Sequence, residues 1–217
     1  MNKYMQIVHR EDIYQDFKDL YDYETDTNNL DRSIEQIFGN YKEKEVLIIE
    51  VGSWKGSSAI SMAKYFLNKN ITPTIFCIDT WNGSTYHRYY DSAFPSLKCK
   101  NGFPTLYPRF ISNIIHAELQ EYIIPIPHSS HDAARYLKKL NISADFCYVD
   151  ACHEYDEVLD DIKSYWDLVK PGGTMLGDDH DAGWPDVVAA VCKFSTEQKL
   201  EENFELHNSE WVIRKNI

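Results

Sequence analysis

Basic clusters, long apolar runs and paired cysteines are all missing from this chain of 217 residues. Its formal charge is −12 and no basic cluster exceeds a pair such as Lys138-Lys139, so we expect neither a nucleic acid nor an anionic membrane as a partner. No segment approaches the roughly 18 apolar residues of a membrane span, and the first residues lack the apolar stretch of a signal peptide. The five cysteines form no C-x-x-C pair. These absences predict a cytoplasmic protein that takes a small, neutral or cationic ligand.

Two common phosphate-binding loops are absent as well. The first predicted strand ends in Glu50-Val51-Gly52-Ser53-Trp54-Lys55-Gly56-Ser57-Ser58. A dinucleotide fingerprint would need glycine where Trp54 and Ser57 stand, and a phosphate loop would need a Gly-Lys-Ser/Thr ending. Gly52 allows a sharp turn, and Gly56 lets backbone amides approach a ligand closely. The spacing indicates a ligand without phosphate at this turn; a purely structural use of the glycines is the alternative.

Strand-like and helix-like segments alternate along most of the chain. Continuous apolar runs predict buried strands at 45–52, 74–79, 122–127, 145–150 and 174–178. Apolar residues three and four positions apart predict helices at 57–68, 108–119, 131–140, 155–169 and 184–194. Two short runs near the end, FELHN and EWVIRK, predict an antiparallel hairpin. This order is typical of an α/β fold with a doubly wound, mostly parallel sheet and helices on both faces. We expect a single domain over residues 1–217.

Two segments stand outside this alternation. Residues 1–44 are expected to hold N-terminal helices, because apolar residues between about 11 and 40 recur at helical spacings, among them Ile13, Phe17 and Leu20. Residues 80–108 have no sustained period and are rich in tyrosine, glycine, proline and serine. A loop of this length in a compact domain is usually functional or disordered, and its aromatic content argues against disorder. We interpret 80–108 as a lid over a pocket, with an ordinary surface insertion as the alternative.

An acidic residue follows the second predicted strand. Asp79 ends the run TIFCID, 23 residues beyond Gly56. An acid about 20 residues beyond such a turn, at the next strand end, is placed to accept hydrogen bonds from both hydroxyls of a ribose. A helix cap or a loop aspartate is the structural alternative. Together with the glycine turn, Asp79 predicts an adenosine-bearing ligand without a pyrophosphate.

Three more carboxylates end two later strands, Asp150 on one and Asp178 and Asp179 on the next. Because neighbouring parallel strands bring their carboxyl ends to one sheet edge, these acids predict a site for a hard cation. Mg²⁺ is the first choice, with Ca²⁺ and Mn²⁺ left open, and solvated acids without a metal are the alternative. His153 follows Asp150 by three residues and is the candidate general base, since a histidine takes up a proton near neutral pH.

These motifs, in this order, resemble the class I S-adenosylmethionine-dependent methyltransferases, in particular the metal-dependent O-methyltransferases of the catechol and macrolide-sugar types. The resemblance runs from about residue 45 to 195 and implies a Rossmann-like sheet. It implies that S-adenosylmethionine is held by the glycine turn and the neighbouring strand ends, namely Glu50, Gly52, Ser53, Trp54, Gly56, Asp79 and Asp150.

The same resemblance implies roles for residues outside that group. Ser58 would bind the methionine carboxylate, and Ser130 and His131 would lie against the adenine. Trp81 would add an apolar wall. The catechol type has lysine where this chain has His153 and asparagine where it has Asp179, so both positions match the sugar type.

The full set predicts a metal-dependent O-methyltransferase that acts on a hydroxyl of a small molecule or a sugar. A non-catalytic S-adenosylmethionine-binding protein would have no reason to retain Asp150, Asp178, Asp179 and His153 together. A hydroxylase on a related fold is the other alternative, but a non-haem iron site needs two histidines and one carboxylate on one metal. The identity of the acceptor and the oligomeric state stay open, a homo-oligomer included.

Overall fold

The computed structural model describes residues 2–15, 17–22 and 30–217. Its centre is a sheet of seven strands in the order β3-β2-β1-β4-β5-β7-β6. The strands are β1 (Glu45–Val51), β2 (Thr72–Asp79), β3 (Ile123–Pro127), β4 (Ala144–Val149), β5 (Val169–Gly177), β6 (Phe204–His207) and β7 (Glu210–Arg214). The first five strands pair in parallel, whereas β7 pairs antiparallel with both β5 and β6. The predicted doubly wound α/β fold with a closing hairpin is confirmed.

Helices cover the sheet on both faces. They are α1 (Lys3–Val8), α2 (Leu30–Phe38), α3 (Ser57–Asn68), α4 (Thr85–Tyr89), α5 (Leu106–His116), α6 (Ser130–Lys139), α7 (Tyr155–Trp166) and α8 (Pro185–Gln198). α2 packs against α3, while α6, α7 and α8 pack in succession. Strand β4 is buried at every position, as expected for a strand with helices on both sides. Within the described ranges, no helix combines the length and the apolar character needed to cross a bilayer.

The helical prediction for residues 11–40 is wrong in its first half. The chain forms a helix earlier, in α1, and the described residues between α1 and α2 contain only a 3-10 turn at Lys18–Leu20. Tyr14 explains the difference, because its buried hydroxyl donates to the carbonyl of Ile123 at 2.8 Å. Ile13 and Phe17 pack against the core, so their spacing indicated burial rather than a helix. Residues 16 and 23–29 lie outside the described residues.

The helix predicted over 155–169 ends before Val169. α7 stops at Trp166, and Val169 is the first residue of β5, where it pairs with Ala144. The backbone N–H of Ala144 also donates to the carbonyl of Leu168 at 2.7 Å. Val169 is therefore apolar because it belongs to the sheet, and β5 starts earlier than the predicted 174–178.

The segment 80–108 contains short elements only. It holds α4, a 3-10 turn at Phe94–Leu97 and an isolated bridge between Lys100 and Phe103, and it ends inside α5. Exposed tyrosines cluster on and after α4, among them Tyr86, Tyr89 and Tyr90. These short elements lie beside the site described next.

Candidate active site

The turn after β1 requires glycine at its first position. Gly52 has a φ of 90°, and a Cβ there would overlap the carbonyl oxygen of Asp150. The ends of β1 and β4 therefore come into direct backbone contact, which only glycine permits. Gly56 has a φ of 91° and precedes α3. Trp54, between them, has a φ of 45°, an uncommon conformation for a bulky residue that its surroundings must hold in place.

The carboxylate of Asp79 supplies that support. Its Oδ2 accepts the backbone N–H of Trp54 at 2.8 Å, and its Oδ1 accepts the backbone N–H of Trp81 at 2.7 Å. Burial raises the pKa of Asp79, and the two backbone hydrogen bonds act in the opposite direction. Asp79 thus joins the glycine turn to the loop after β2. Each carboxylate oxygen can accept more than one hydrogen bond, so both retain capacity for a ribose hydroxyl.

Three of the predicted cofactor residues lie behind the turn. Glu50 is fully buried, and the hydroxyl of Ser58 donates to its Oε1 at 2.5 Å. Ser53 is buried as well. Burial raises the pKa of Glu50, while the hydrogen bond from Ser58 acts in the opposite direction. Because a serine hydroxyl carries one hydrogen, Ser58 would have to change partner to donate to a methionine carboxylate.

A cavity of about 590 Å³ opens at the carboxyl ends of β1, β2, β3 and β4. This volume falls within the roughly 300–1,000 Å³ of typical ligand pockets. The predicted residues that line it are Gly52, Trp54, Asp79, Ser130, Asp150 and His153. The predicted residues that do not line it are Glu50, Ser53, Gly56, Ser58, Trp81, His131, Asp178 and Asp179. The structure therefore gathers residues from four separate strand ends around one space and leaves the others behind or beside it.

Trp81 and His131 point away from this space. Trp81 is buried, its ring lies 4.9 Å from the rings of Tyr107 and Phe110, and its Nε1 donates to the carbonyl of Trp54 at 2.6 Å. It supports the glycine turn from the core instead of forming a wall of the cavity. His131 is exposed in the first turn of α6, and the preceding residues, His128 and Ser129, line the cavity in its place.

A cluster of acids and a histidine lies at the edge of this cavity. β4 and β5 are neighbours, with Val149 opposite Gly177, so Asp150 and the pair Asp178-Asp179 follow adjacent strand ends as predicted. Potential ligand atoms of Asp150, His153 and Asp179 lie within 4.8 Å of one another, and Nε2 of His153 is 2.6 Å from Oδ2 of Asp179.

Asp178 is oriented differently from its neighbour. Its Oδ1 accepts the backbone N–H of Asp179 at 2.7 Å and the hydroxyl of Ser209 at 2.6 Å. Asp179 itself has a φ of 65°, so this hydrogen bond helps to hold a left-handed backbone. The structure thus brings His153, rather than Asp178, together with Asp150 and Asp179; the role of Asp178 as a metal ligand stays a prediction.

The electrostatics of the cluster suit a cation. Burial and the neighbouring charges of Asp178 and Asp179 together raise the pKa of Asp150 to about 8. Burial lowers the pKa of His153, but its hydrogen bond to Asp179 and the nearby carboxylates outweigh that effect and raise it. The carboxylate oxygens of Asp150 and Asp179 are hard donors that fit a divalent cation, which would relieve the repulsion among the acids.

Sequence reasoning missed two residues of this corner. Trp184 stacks on His153, with ring centroids 4.0 Å apart and an angle of 23° between the planes. Ser209, in the turn between β6 and β7, anchors Asp178. Trp184 stands between β5 and α8, on the sheet edge where ligands bind. That position after a strand end could have marked it as a candidate site residue. Ser209 had none, because its contact joins residues 31 positions apart.

A profile of the methyltransferase domain family matches residues 49–180, more than half of the chain. The chain belongs to this family. It is an S-adenosylmethionine-dependent methyltransferase, and the class I fold that the motifs resemble is confirmed. The non-catalytic alternative is thereby set aside. No curated protein sequence matches the chain.

Solved structures of methyltransferases share the fold of this methyltransferase. The O-methyltransferase NovP is 17% identical with a TM-score of 0.62, over 87% of this chain and 78% of NovP. An O-methyltransferase from Bacillus cereus, solved with S-adenosylhomocysteine, is 14% identical with a TM-score of 0.56, over 99% and 92%. The calicheamicin methyltransferase CalS11 is 15% identical with a TM-score of 0.55, over 78% and 72%. The organisation of the cavity around Gly52 and Asp79 fits the adenosyl donor that this class uses.

Proposed function

We propose that this methyltransferase transfers the methyl group to a hydroxyl of a small molecule or a sugar, with the help of a divalent metal. The observation that carries the proposal is the cluster of Asp150, His153 and Asp179 at the edge of the cofactor cavity. The names of similar structures support it: NovP and the Bacillus cereus protein are O-methyltransferases, and CalS11 is described as a TDP-rhamnose 3'-O-methyltransferase.

Asp150 and Asp179 are the residues that would hold the metal, with Asp178 as the third ligand if its side chain turns from Ser209. Mg²⁺ is the best candidate because the donors are hard carboxylate oxygens. When bound, the metal would lower the pKa of an acceptor hydroxyl, as divalent metals do for a bound water.

His153 is the proposed proton acceptor. Its Nε2 faces Asp179 at 2.6 Å, and with the hydrogen on Nε2 the other ring nitrogen, Nδ1, is free to take a proton. Asp179 would then stabilise the imidazolium, in the manner of a carboxylate that orients a catalytic histidine. The stack on Trp184 holds the ring plane. Positioning of the two substrates and exclusion of water would supply most of the rate enhancement.

Cofactor binding is the first experiment. Calorimetric titration with S-adenosylmethionine should show binding to the wild type and a loss of at least tenfold in affinity for Asp79→Ala, since that variant loses the ribose acceptor and the support of the glycine turn. Asp91→Ala, at an exposed acid in the segment 80–108, is the control and should bind like the wild type. Absence of binding to the wild type would overturn the cofactor assignment.

Metal binding is the second experiment. MgCl₂ should raise the unfolding temperature of the wild type and raise it much less in Asp179→Asn, because an amide lacks the charge that the cation needs. Asp181→Asn is the matched control: this acid lies in the same loop, but it is exposed and its Oδ1 accepts the N–H of Gly183. An equal response of all three proteins to MgCl₂ would count against the site.

A further inference from the structure

A second, smaller cavity of about 280 Å³ opens beside the catalytic corner. Its wall is mostly aromatic and is formed by Ser84, Thr85, Tyr86, Tyr89, Tyr90, Cys152, His153, Glu154 and Trp184. Four of these residues, Ser84, Thr85, Cys152 and His153, also line the cofactor cavity. The two spaces therefore meet at His153, the proposed proton acceptor. The volume of the smaller cavity lies just below the roughly 300–1,000 Å³ of typical ligand pockets, which suits a single ring with its substituents.

The aromatic rings of this second cavity form a connected set. Trp184 contacts the edge of Tyr86 at 6.3 Å between centroids, and Tyr86 contacts Tyr90 at 4.9 Å. Tyr86, Tyr89 and Tyr90 are 45%, 77% and 49% exposed, which is unusual for large rings that have no ligand to cover. Aromatic faces of this kind pack against another flat ring or against the C–H face of a sugar.

Apart from His153 and the proposed metal beside it, the charged groups that line the two cavities are acidic. Among the residues that the structure describes, no lysine or arginine lines either cavity, whereas Glu154 lines the smaller one and four acids line the larger one. Arg88, the cation of α4, is exposed and lines neither. A phosphate or carboxylate on the acceptor ring would lie beside Glu154 without a lysine or arginine to pair with, which is unfavourable because like charges repel.

We infer that this second cavity is the acceptor subsite and that it takes a neutral or amine-bearing ring, stacked against Tyr86 and Trp184, while it rejects acceptors with a phosphate or carboxylate on that ring. The inference rests on the proposed function and adds the charge class of the acceptor. It separates this methyltransferase from enzymes that act on nucleotide sugars, since a diphosphate beside the ring would meet Glu154 and the tyrosines.

Two ligand series, each with the same ring and a different charge on its substituent, test the inference. One is catechol, dopamine and 3,4-dihydroxybenzoate; the other is methyl glucoside, methyl glucosaminide and methyl glucuronide. Each ligand is titrated by calorimetry into the full-length protein saturated with S-adenosylhomocysteine and MgCl₂. We expect the carboxylate member of at least one series to bind at least tenfold more weakly than its neutral and amine partners. Carboxylates that bind as well as the neutral rings would overturn the inference, and so would the absence of binding by all six ligands.

Variants locate the binding to the aromatic wall. Tyr86→Ala and Trp184→Ala should each lower the affinity for the neutral ligand about fivefold to tenfold. Trp184→Phe keeps an aromatic ring and should retain most of the affinity. Phe103→Ala is the control, because this ring is 75% exposed in the same segment but lines neither cavity. Unchanged ring affinity in both alanine variants would overturn the assignment to this wall.

A readout on the cofactor separates the two claims. The Kd for S-adenosylhomocysteine should stay at the wild-type value in Tyr86→Ala, since this residue lines only the smaller cavity. If the wild type does not bind S-adenosylhomocysteine, both the proposed function and this inference are wrong. If the wild type binds it and the ligand series shows no charge preference, only the inference about the acceptor falls.

Discussion

Asp161, on the wall of the cofactor cavity, shows how burial changes a single residue. It is 7% exposed, and burial raises its pKa to about 6, although a hydrogen bond with Ser130 acts in the opposite direction. Because the folded pKa lies above the unfolded value, the contribution of Asp161 to stability is fully present below about pH 4 and is lost as pH rises through about 6. Above that pH the fold holds a carboxylate where water is scarce.

Asp161→Asn should therefore be more stable than the wild type at pH 7.5, by at most about 3 kcal/mol in the free energy of unfolding, and equally stable at pH 4. Urea unfolding at the two pH values measures the difference. Asp91→Asn, at an exposed acid, is the control and should show no such dependence on pH. A gain for Asp161→Asn that is the same at both pH values would contradict the raised pKa.

At the scale of elements, the glycine turn between β1 and α3 determines where the cavity begins. Gly52 and Gly102 have similar φ values, 90° and 83°, but their surroundings differ. A Cβ at Gly52 would overlap backbone atoms of Asp150, whereas nothing lies within 4 Å of a Cβ at Gly102. The pair therefore separates the cost of a left-handed conformation from the cost of a steric clash.

Gly102→Ala should reduce the free energy of unfolding by only roughly 1–2 kcal/mol, the cost of alanine in a left-handed conformation, and should keep cofactor binding. Gly52→Ala should be destabilised by more than that and should bind S-adenosylmethionine at least tenfold more weakly, because the ends of β1 and β4 must separate. Urea unfolding and calorimetry measure both effects. Equal losses in the two variants would mean that the contact with Asp150 relaxes without cost.

At the scale of the whole molecule, a buried ion pair ties the N-terminal segment to the glycine turn. Nζ of Lys55 lies 2.9 Å from Oδ2 of Asp22, and both side chains are less than a tenth exposed. Asn113 of α5 completes the link, since its side chain donates to the carbonyl of Lys55 and accepts the N–H of Asp22. On the surface, Lys69 and Glu35 make a pair of similar length, 2.8 Å, between side chains that are 43% and 66% exposed.

Lys55→Met should reduce the free energy of unfolding by about 3 kcal/mol, because it leaves the buried carboxylate of Asp22 without its nearest charge. Arg109, with a nitrogen 3.7 Å from Asp22, limits the loss. Lys69→Met should leave stability unchanged, since an exposed pair contributes little. Chemical denaturation of both variants gives the comparison, and similar stabilities for the two would show that burial of the Lys55–Asp22 pair has no energetic consequence.

Much of the fold could be predicted from the sequence. Local patterns of apolar and polar residues predict the strands and their order along the chain, the glycine turn and the acids at the strand ends. These patterns can be read without knowledge of distant contacts. Two elements were misjudged for the same reason. Ile13 and Phe17 pack on the core, and Val169 pairs with Ala144 in the sheet, so their apolar character reflects tertiary contacts and not helical neighbours.

The sequence by itself determined the parallel sheet, the methyltransferase class and the strand ends that carry the site, because spacing and residue type along the chain suffice for these. Only the tertiary structure decided which side chains meet there. It paired His153 with Asp179, turned Asp178 to Ser209, placed Trp81 in the core and added Trp184 to the site. Those outcomes depend on how loops from different strand ends pack together, and side-chain packing between residues distant in the chain leaves no periodic signal in the sequence.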